Sequence, residues 1–284
     1  MRRSLRFAFV ALLMALVPAS SAVASPKTFQ RFEAHVLGSA GTNAKPKPVE
    51  LDTRPYFDFG VAGGPTNSGG LNSGSTLEVP FATVFSTIYL DKALTTATGV
   101  FPGCNIHVAL DTPDKCPAGS RVDTPSSASG LVRSTNDSGG KYVLKTNLEV
   151  RIFVLSTDSR DRPAHDMLGL RVVTPLATAI VEGKLSPATG ADKKLYGQKM
   201  RFTIPTGLIV PTDGLVSQLL DFDTGIKRAV YKGTPLIGLR SCPASKKLSI
   251  GYRGEYSIKP HLAEQTHWRV DEVSNRIDVK VPCH

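Results

Sequence analysis

The 284-residue chain has almost no long apolar run. The longest, Phe7–Val17, is about half of the roughly 20 residues that a bilayer-spanning helix needs. No transmembrane span is expected. Cysteine is absent before Cys104, so no thiol stands near the N-terminus to carry a lipid anchor. There is no block of five basic residues and no basic stretch interleaved with aromatics. Nucleic-acid binding therefore has no footing. No G-x-S-x-G elbow, H-E-x-x-H helix or C-x2-C pair occurs. His35, His107, His165, His261, His267 and His284 stand apart from one another. No catalytic residue, cofactor or metal site is expected.

What the chain does have begins at its first residue. Arg2, Arg3 and Arg6 precede the apolar run, Pro18 breaks it, and Ala22-Val23-Ala24 offers small residues around a cleavage point. This is the layout of an export signal, so residues 1–24 are expected to be removed, leaving 25–284. Arg2-Arg3 also fits a twin-arginine leader, although an ordinary basic n-region accounts for it as well. Either route ends outside the cytoplasm. The expected location is secreted, extracellular or cell-wall associated. The net charge of +10 falls to +7 without the three leader arginines. Lys45/Lys47, Lys193-Lys194 and Lys246-Lys247 are short pairs in expected turns, which reads as solvated surface.

Cys104, Cys116, Cys242 and Cys283 allow three pairings in an oxidising compartment. The segment between Cys104 and Cys116 is rich in turn formers (Asn105, Asp111, Pro113, Asp114), and Cys242 and Cys283 each border an expected strand. Disulfides 104–116 and 242–283 follow.

Period-two alternation dominates the rest. Phe32-Ala34-Val36, Val49–Thr53, Thr83–Leu90, Leu148-Val150-Ile152-Val154, Leu168-Leu170-Val172, Ile180–Leu185 and Met200-Phe202-Ile204 read as strands. So do Leu236–Leu239, Leu248–Ile250, Tyr252–Ile258 and Ile277-Val279-Val281. Pro65–Ser75 and Ser126–Gly140 read as loops. One short helix is expected at Leu215–Leu220, capped by Asp213, because Leu215, Val216, Leu219 and Leu220 recur at helical spacing. About ten to twelve strands with one helix predict an all-β fold, an antiparallel β-sandwich of immunoglobulin-like type. One extended domain over 25–284 is expected, with 126–140 as the place where a boundary would fall.

Several fragments carry a resemblance. They are Phe101-Pro102-Gly103-Cys104, Cys116-Pro117-Ala118-Gly119-Ser120, Gly183-Lys184-Leu185-Ser186, Met200–Pro205, Ser241-Cys242-Pro243 and Val279-Lys280-Val281-Pro282-Cys283. Together they resemble uncharacterised exported β-sandwich proteins of actinobacteria, over roughly residues 80–283. Members carry a Gly-rich turn after C-P-x-x-S, where this chain has Arg121-Val122-Asp123-Thr124-Pro125. The resemblance implies an immunoglobulin-like fold, secretion and two disulfides, and implies no activity.

Other motifs invite chemistry. Asp137-Ser138-Gly139 and Asp223-Thr224-Gly225 look like the paired triplets of a two-carboxylate protease, but their flanks suit β-turns. Asp158, Asp161 and Asp166 could gather round calcium, yet Arg160 and Arg162 interrupt them and favour a salt-bridged turn. In Arg54-Pro55-Tyr56-Phe57-Asp58-Phe59, alternation puts Tyr56 and Asp58 on one face, the candidate sugar-binding pair. The expected function is a non-catalytic cell-envelope or extracellular binding or structural protein, whose partner is an anionic wall polymer or a carbohydrate. The alternative is an extracellular glycan-active enzyme, which needs at least two carboxylates, or a carboxylate and a histidine or tyrosine, converging on a concave face.

Overall fold

The computed structural model describes residues 30–57, 82–134, 142–212, 214–257, 270 and 272–284. The leader, the Pro65–Ser75 loop, the Asp137 triplet, Asp58, Asp213, His261 and His267 lie outside the described residues.

The strands in chain order are β1 (Gln30–Leu37), β2 (Lys47–Pro48), β3 (Glu50–Phe57), β4 (Ala82–Asp91), β5 (Leu94–Thr96), β6 (Ser127–Ser134), β7 (Tyr142–Val154), β8 (Met167–Val173) and β9 (Thr178–Pro187). They continue with β10 (Tyr196–Thr203), β11 (Leu215–Ile226), β12 (Val230–Tyr231), β13 (Thr234–Pro235), β14 (Ile237–Leu239), β15 (Lys247–Ser257), β16 (Glu272–Val273) and β17 (Ile277–Pro282). The α-helices are α1 (Ile106–Asp111) and α2 (Thr206–Ile209).

One antiparallel sheet runs in the order β1-β3-β11-β6-β7-β8-β9-β10-β4-β15-β16, with β17 also paired to β15. The all-β, antiparallel expectation is met. In place of two separate sandwich sheets there is a single continuous sheet, rolled nearly into a barrel. The physical reason is β7. Its thirteen residues are enough to serve two neighbours. Tyr142–Leu148 pairs with β6, and Glu149–Val154 pairs with β8. The sheet passes round the corner without losing its ladder.

The other side closes differently. The ring from β1 to β17 has an odd number of members, so β1 and β17 run in the same direction. No ladder joins them among the described residues. Side chains cross the seam instead. Phe32 of β1 stacks on Tyr252 of β15 at 5.2 Å between ring centroids. Gln30 Nε2 donates to Ser274 Oγ at 2.8 Å, and the Tyr256 hydroxyl meets Gln30 Oε1.

Inward positions alternate along each strand, as the pleat requires. Phe32, Ala34, Val36, Leu51, Ile88, Val150, Ile152, Leu168, Leu170, Met200, Phe202 and Ile250 form one core inside the ring. Phe202 sits opposite Gly183 on β9, where a Cβ would come within 2.3 Å of the ring. Only glycine leaves room there. A three-stranded sheet, β2-β14-β5, closes one end, driving Leu94, Leu236, Ile237 and Leu239 into the core. The opposite rim is marked by Phe57, Ala82, Ser134, Tyr142, Thr203, Leu215 and Ser257. There α2 packs Ile209 with Ala82, Val84, Val210 and Val216.

The helix expected at Leu215–Leu220 is instead the start of β11, paired to β6 on one side and β3 on the other. The register shifts between Leu219 and Asp221, and this irregularity puts the apolar residues at spacing that imitates a helix. The helix that does form next to a strand, α1, lies between the first two cysteines. Asn105 caps it by accepting from His107 N at 2.9 Å, and Ile106 and Ala109 are buried against Phe153, Leu155 and Ile180.

Both disulfides are those expected. Cys104–Cys116 staples α1 to the sheet, helped by Cys104 N donating to Val154 O at 2.8 Å. Cys242–Cys283 ties the segment before β15 to the end of β17.

Candidate functional site

Tyr56 is on the outer face of β3, because Leu51, Thr53 and Pro55 occupy the inner one. Its hydroxyl donates to Glu33 Oε1 at 3.0 Å, and Arg54 lies 5.2 Å from its ring centre. Arg54 is itself held by Asp221 through two hydrogen bonds of 2.9 and 2.6 Å. The proposed partner of Tyr56, Asp58, falls outside the described residues.

The same outer stripe gathers carboxylates. Burial, with Glu50 and Asp223 nearby, raises the Asp52 carboxyl above its ordinary range. Asp223-Thr224-Gly225 forms no turn. It is mid-strand in β11, with Thr224 facing inward. Its glycine is needed because a Cβ would lie 1.9 Å from Asp52 Oδ1. This face is convex, and neither concavity described below includes Asp52 or Asp223. The carboxylates converge where no substrate could be enclosed.

The charged turn after β7 is salt-bridged, as expected. Asp158 accepts from Arg162 Nε at 2.7 Å and from the backbone amides of Arg160 and Arg162 at 2.9 Å each. These bonds, Arg162 foremost, lower its pKa to about 2. Asp161 pairs instead with His107 Nε2 at 3.1 Å, and Asp166 accepts from Thr98 Oγ1 at 3.4 Å. The three carboxylates do not share a centre, and no metal-ligating cluster occurs among the described residues.

Two concavities among the described residues bear on function. The first is a basin of about 440 Å³ at the closed end, beside the Cys242–Cys283 staple. Lys92, Lys194, Arg240, Lys247 and Lys280 line it. None of the five forms an ion pair with a carboxylate among the described residues. Lys280 Nζ donates to Ser249 Oγ at 2.5 Å. The one acidic residue in the lining, Asp91, is buried and turned to backbone. Its oxygens accept from Ala93 N at 2.8 Å and Ser249 N at 2.7 Å. The basin thus offers five cationic side chains and backbone-satisfied walls. Like charges held close together repel, so an anion neutralising them is favoured there.

The second is a cavity of about 130 Å³ inside the barrel, in its rim half. Its lining is aliphatic and aromatic with a few neutral polar residues, and not one ionisable side chain. Among the described residues, no carboxylate lines this cavity.

No family model, curated protein or solved structure matches the chain.

Sequence reasoning missed the basin. Its cations come from five separate segments: the β4–β5 turn, the turn before β10, the end of β14, the start of β15 and β17. Each reads as an isolated surface charge, and only the folding of those segments onto one end gathers them. Cys242 in the basin wall was the one available pointer. The interior cavity was half legible. Alternation gave its lining residues, while the pattern cannot distinguish a sheet facing a second sheet from a sheet facing itself.

Proposed function

We propose that this chain is an exported, non-catalytic binding protein that attaches to an anionic polymer of the cell envelope through the basin at its closed end. The observation that carries the reading is the set Lys92, Lys194, Arg240, Lys247 and Lys280, five cations around one basin with no ion-paired carboxylate among the described residues. A phosphodiester backbone suits such a site, because each lysine can take a phosphate as a point charge. Export supports the same location: a leader-like N-terminus, two disulfides that need oxidising surroundings, and no apolar helix of membrane-spanning length among the described residues. An immunoglobulin-like ancestry is what the resemblance of the motifs implies. Neutral carbohydrate bound at Tyr56 is the weaker version, since the Tyr56 hydroxyl is already engaged with Glu33. The glycan-active alternative is the weaker one, since among the described residues neither concavity brings together two carboxylates, or a carboxylate with a histidine or tyrosine.

The test is retention of the mature protein on immobilised poly(glycerol phosphate) and on neutral glucan. Binding to the phosphate polymer is expected at low salt and should weaken as the ionic atmosphere thickens. Replacing Lys92, Lys247 and Lys280 by Glu should lower affinity at least about tenfold, as expected when desolvated charge complementarity becomes repulsion. Lys184→Glu, on the exposed face of β9, serves as the control. Unchanged retention in the triple variant, or preference for the neutral glucan, would remove the reading.

A further inference from the structure

We propose that the barrel interior is a second binding site, which holds one compact uncharged hydrocarbon molecule about the size of benzene. This goes beyond envelope attachment, and the cavity shares no residue with the basin.

The core inside the ring is divided. Ile88, Ile152, Leu170, Met200 and Phe202 belong to the main cluster, while Ala82, Val84, Ile209, Val210 and Val216 form a separate one under the rim. Among the described residues, only the partly buried Ile204 packs against both. The cavity of about 130 Å³ lies at this break, because its wall takes Ile88, Ile152 and Met200 from the first cluster and Ile209 from the second. Protein interiors otherwise pack with few voids larger than a water molecule. A gap of this size leaves its lining atoms without dispersion partners on one side, and a guest of matching volume restores those contacts.

Size and chemistry limit the guest. An apolar cavity of roughly 150 Å³ holds one benzene, so a single six-membered ring is the capacity here. The wall carries no ionisable side chain. A charged guest would lose its hydration with nothing to replace it, whereas a hydrocarbon needs no hydrogen bond.

The roof of the cavity is α2. This helix follows β10 and lies against β4 and β9, which flank β10 in the sheet, and also against β11. β11 stands on the far side of the ring, beyond β6, β7 and β8. The helix therefore crosses the mouth, and Leu208 and Ile209 face the cavity from it. It is a single turn, closed by Ile209 N donating to Pro205 O and Val210 N to Thr206 O. So short a helix has little stability of its own. Swinging it out disturbs fewer bonds than opening a strand ladder, so the guest enters past α2.

Titration of the mature protein with benzene and with benzoate, followed by methyl NMR, tests this. Benzene is expected to saturate at one per chain, with cross-relaxation from its protons to the methyls of Ile152, Met200 and Ile209. Leu94 and Leu239, in the core at the closed end and outside the cavity wall, should show none. Benzoate should bind at least about tenfold more weakly, because its carboxylate must be desolvated. Val181→Trp or Val172→Trp, whichever keeps the wild-type circular dichroism and poly(glycerol phosphate) retention, should lower benzene affinity at least about tenfold by filling the void. No saturable benzene binding, contacts to Leu94 and Leu239 in place of Ile152 and Ile209, benzoate as tight as benzene, or undiminished binding in a folded tryptophan variant would overturn the proposal. The contacts in the wild-type protein decide the question even where both variants fail to fold. Retention on the phosphate polymer is read separately, so each site can fail alone.

Discussion

The sheet turns back on itself twice, and the two turns are built from different forces. At β7 the backbone makes the corner, with continuous ladders to β6 and β8. At the β1/β17 seam the backbone contributes no ladder among the described residues, and rings and polar side chains hold the edges together. Backbone hydrogen bonds are indifferent to side-chain identity, whereas a stacked ring pair exists only while both rings do. The corner should tolerate substitution that the seam does not. The seam is also where an edge strand would otherwise stand open to pairing with another chain, so its side-chain closure protects solubility as well as stability.

The largest effect should come from the seam itself. Phe32→Ala and Tyr252→Ala each remove a buried ring and should cost about 3–5 kcal/mol in urea unfolding, the usual range for large-to-small aromatic truncations. Combined, they should cost less than their sum, because the rings touch at 5.2 Å. By contrast Glu149→Ala, exposed on β7, should stay within about 0.5 kcal/mol. Comparable losses at both places would break the distinction.

The disulfides sharpen it. Cys242–Cys283 closes 41 residues and anchors β17 at the seam, while Cys104–Cys116 closes 12 and only pins α1 to the outside of the sheet. On the chain-entropy model their removal costs roughly 4 and roughly 3 kcal/mol. The larger difference should be in kind. Cys242→Ser with Cys283→Ser should raise amide exchange in β17 and β1, whereas Cys104→Ser with Cys116→Ser should raise it in α1 alone. Exchange spreading from α1 into β8 and β9 would show that the outer staple also supports the ring.

How far the sequence announces this arrangement differs between the two turns. Alternation at Phe32-Ala34-Val36 and at Leu148-Val150-Ile152-Val154 fixes which side chains face inward, and those residues are buried as expected, with Leu148 partly so. The cysteine pairing is legible for the same local reasons, from turn formers and strand ends. Closure is not. Whether β1 meets β17 depends on the ring's strand number and on β7 pairing with two partners, neither of which leaves a mark in a local window. β11 fails for the opposite reason: a register shift near Leu220 gave a strand a helical signature. The basin gathers segments distant in sequence, so no local residue pattern points to it. Asp223-Thr224-Gly225 looks like a turn because glycine usually marks one, yet there it makes room for a neighbour's carboxylate.

Acid gives the smallest and most local comparison. Arg162 lowers Asp158 to about 2 in the turn that follows β7, and Arg276 with Tyr196 lowers Asp278 on β17. A carboxylate whose folded pKa lies below its ordinary value near 3.8 stabilises the fold above that value, and the contribution is lost as pH falls toward the folded pKa. Both groups should therefore weaken the protein as pH falls below about 4, Asp158 over the range down to about pH 2, and neither should act at neutral pH. Their reach differs. Asp158 binds amides within its own turn, so its protonation should loosen residues 158–166 while the ladders of β7 persist. Asp278 accepts from the Tyr196 hydroxyl at 2.6 Å, tying β17 to the start of β10 across the outer face. Its protonation should release the seam strand first. Amide exchange at pH 3 should then show β17 losing protection before β7, and Asp278→Asn should reproduce that order at pH 7. Asp158→Asn at pH 7 should alter only the turn. If β7 opens together with β17, the corner depends on the seam, and the two turns are one cooperative unit.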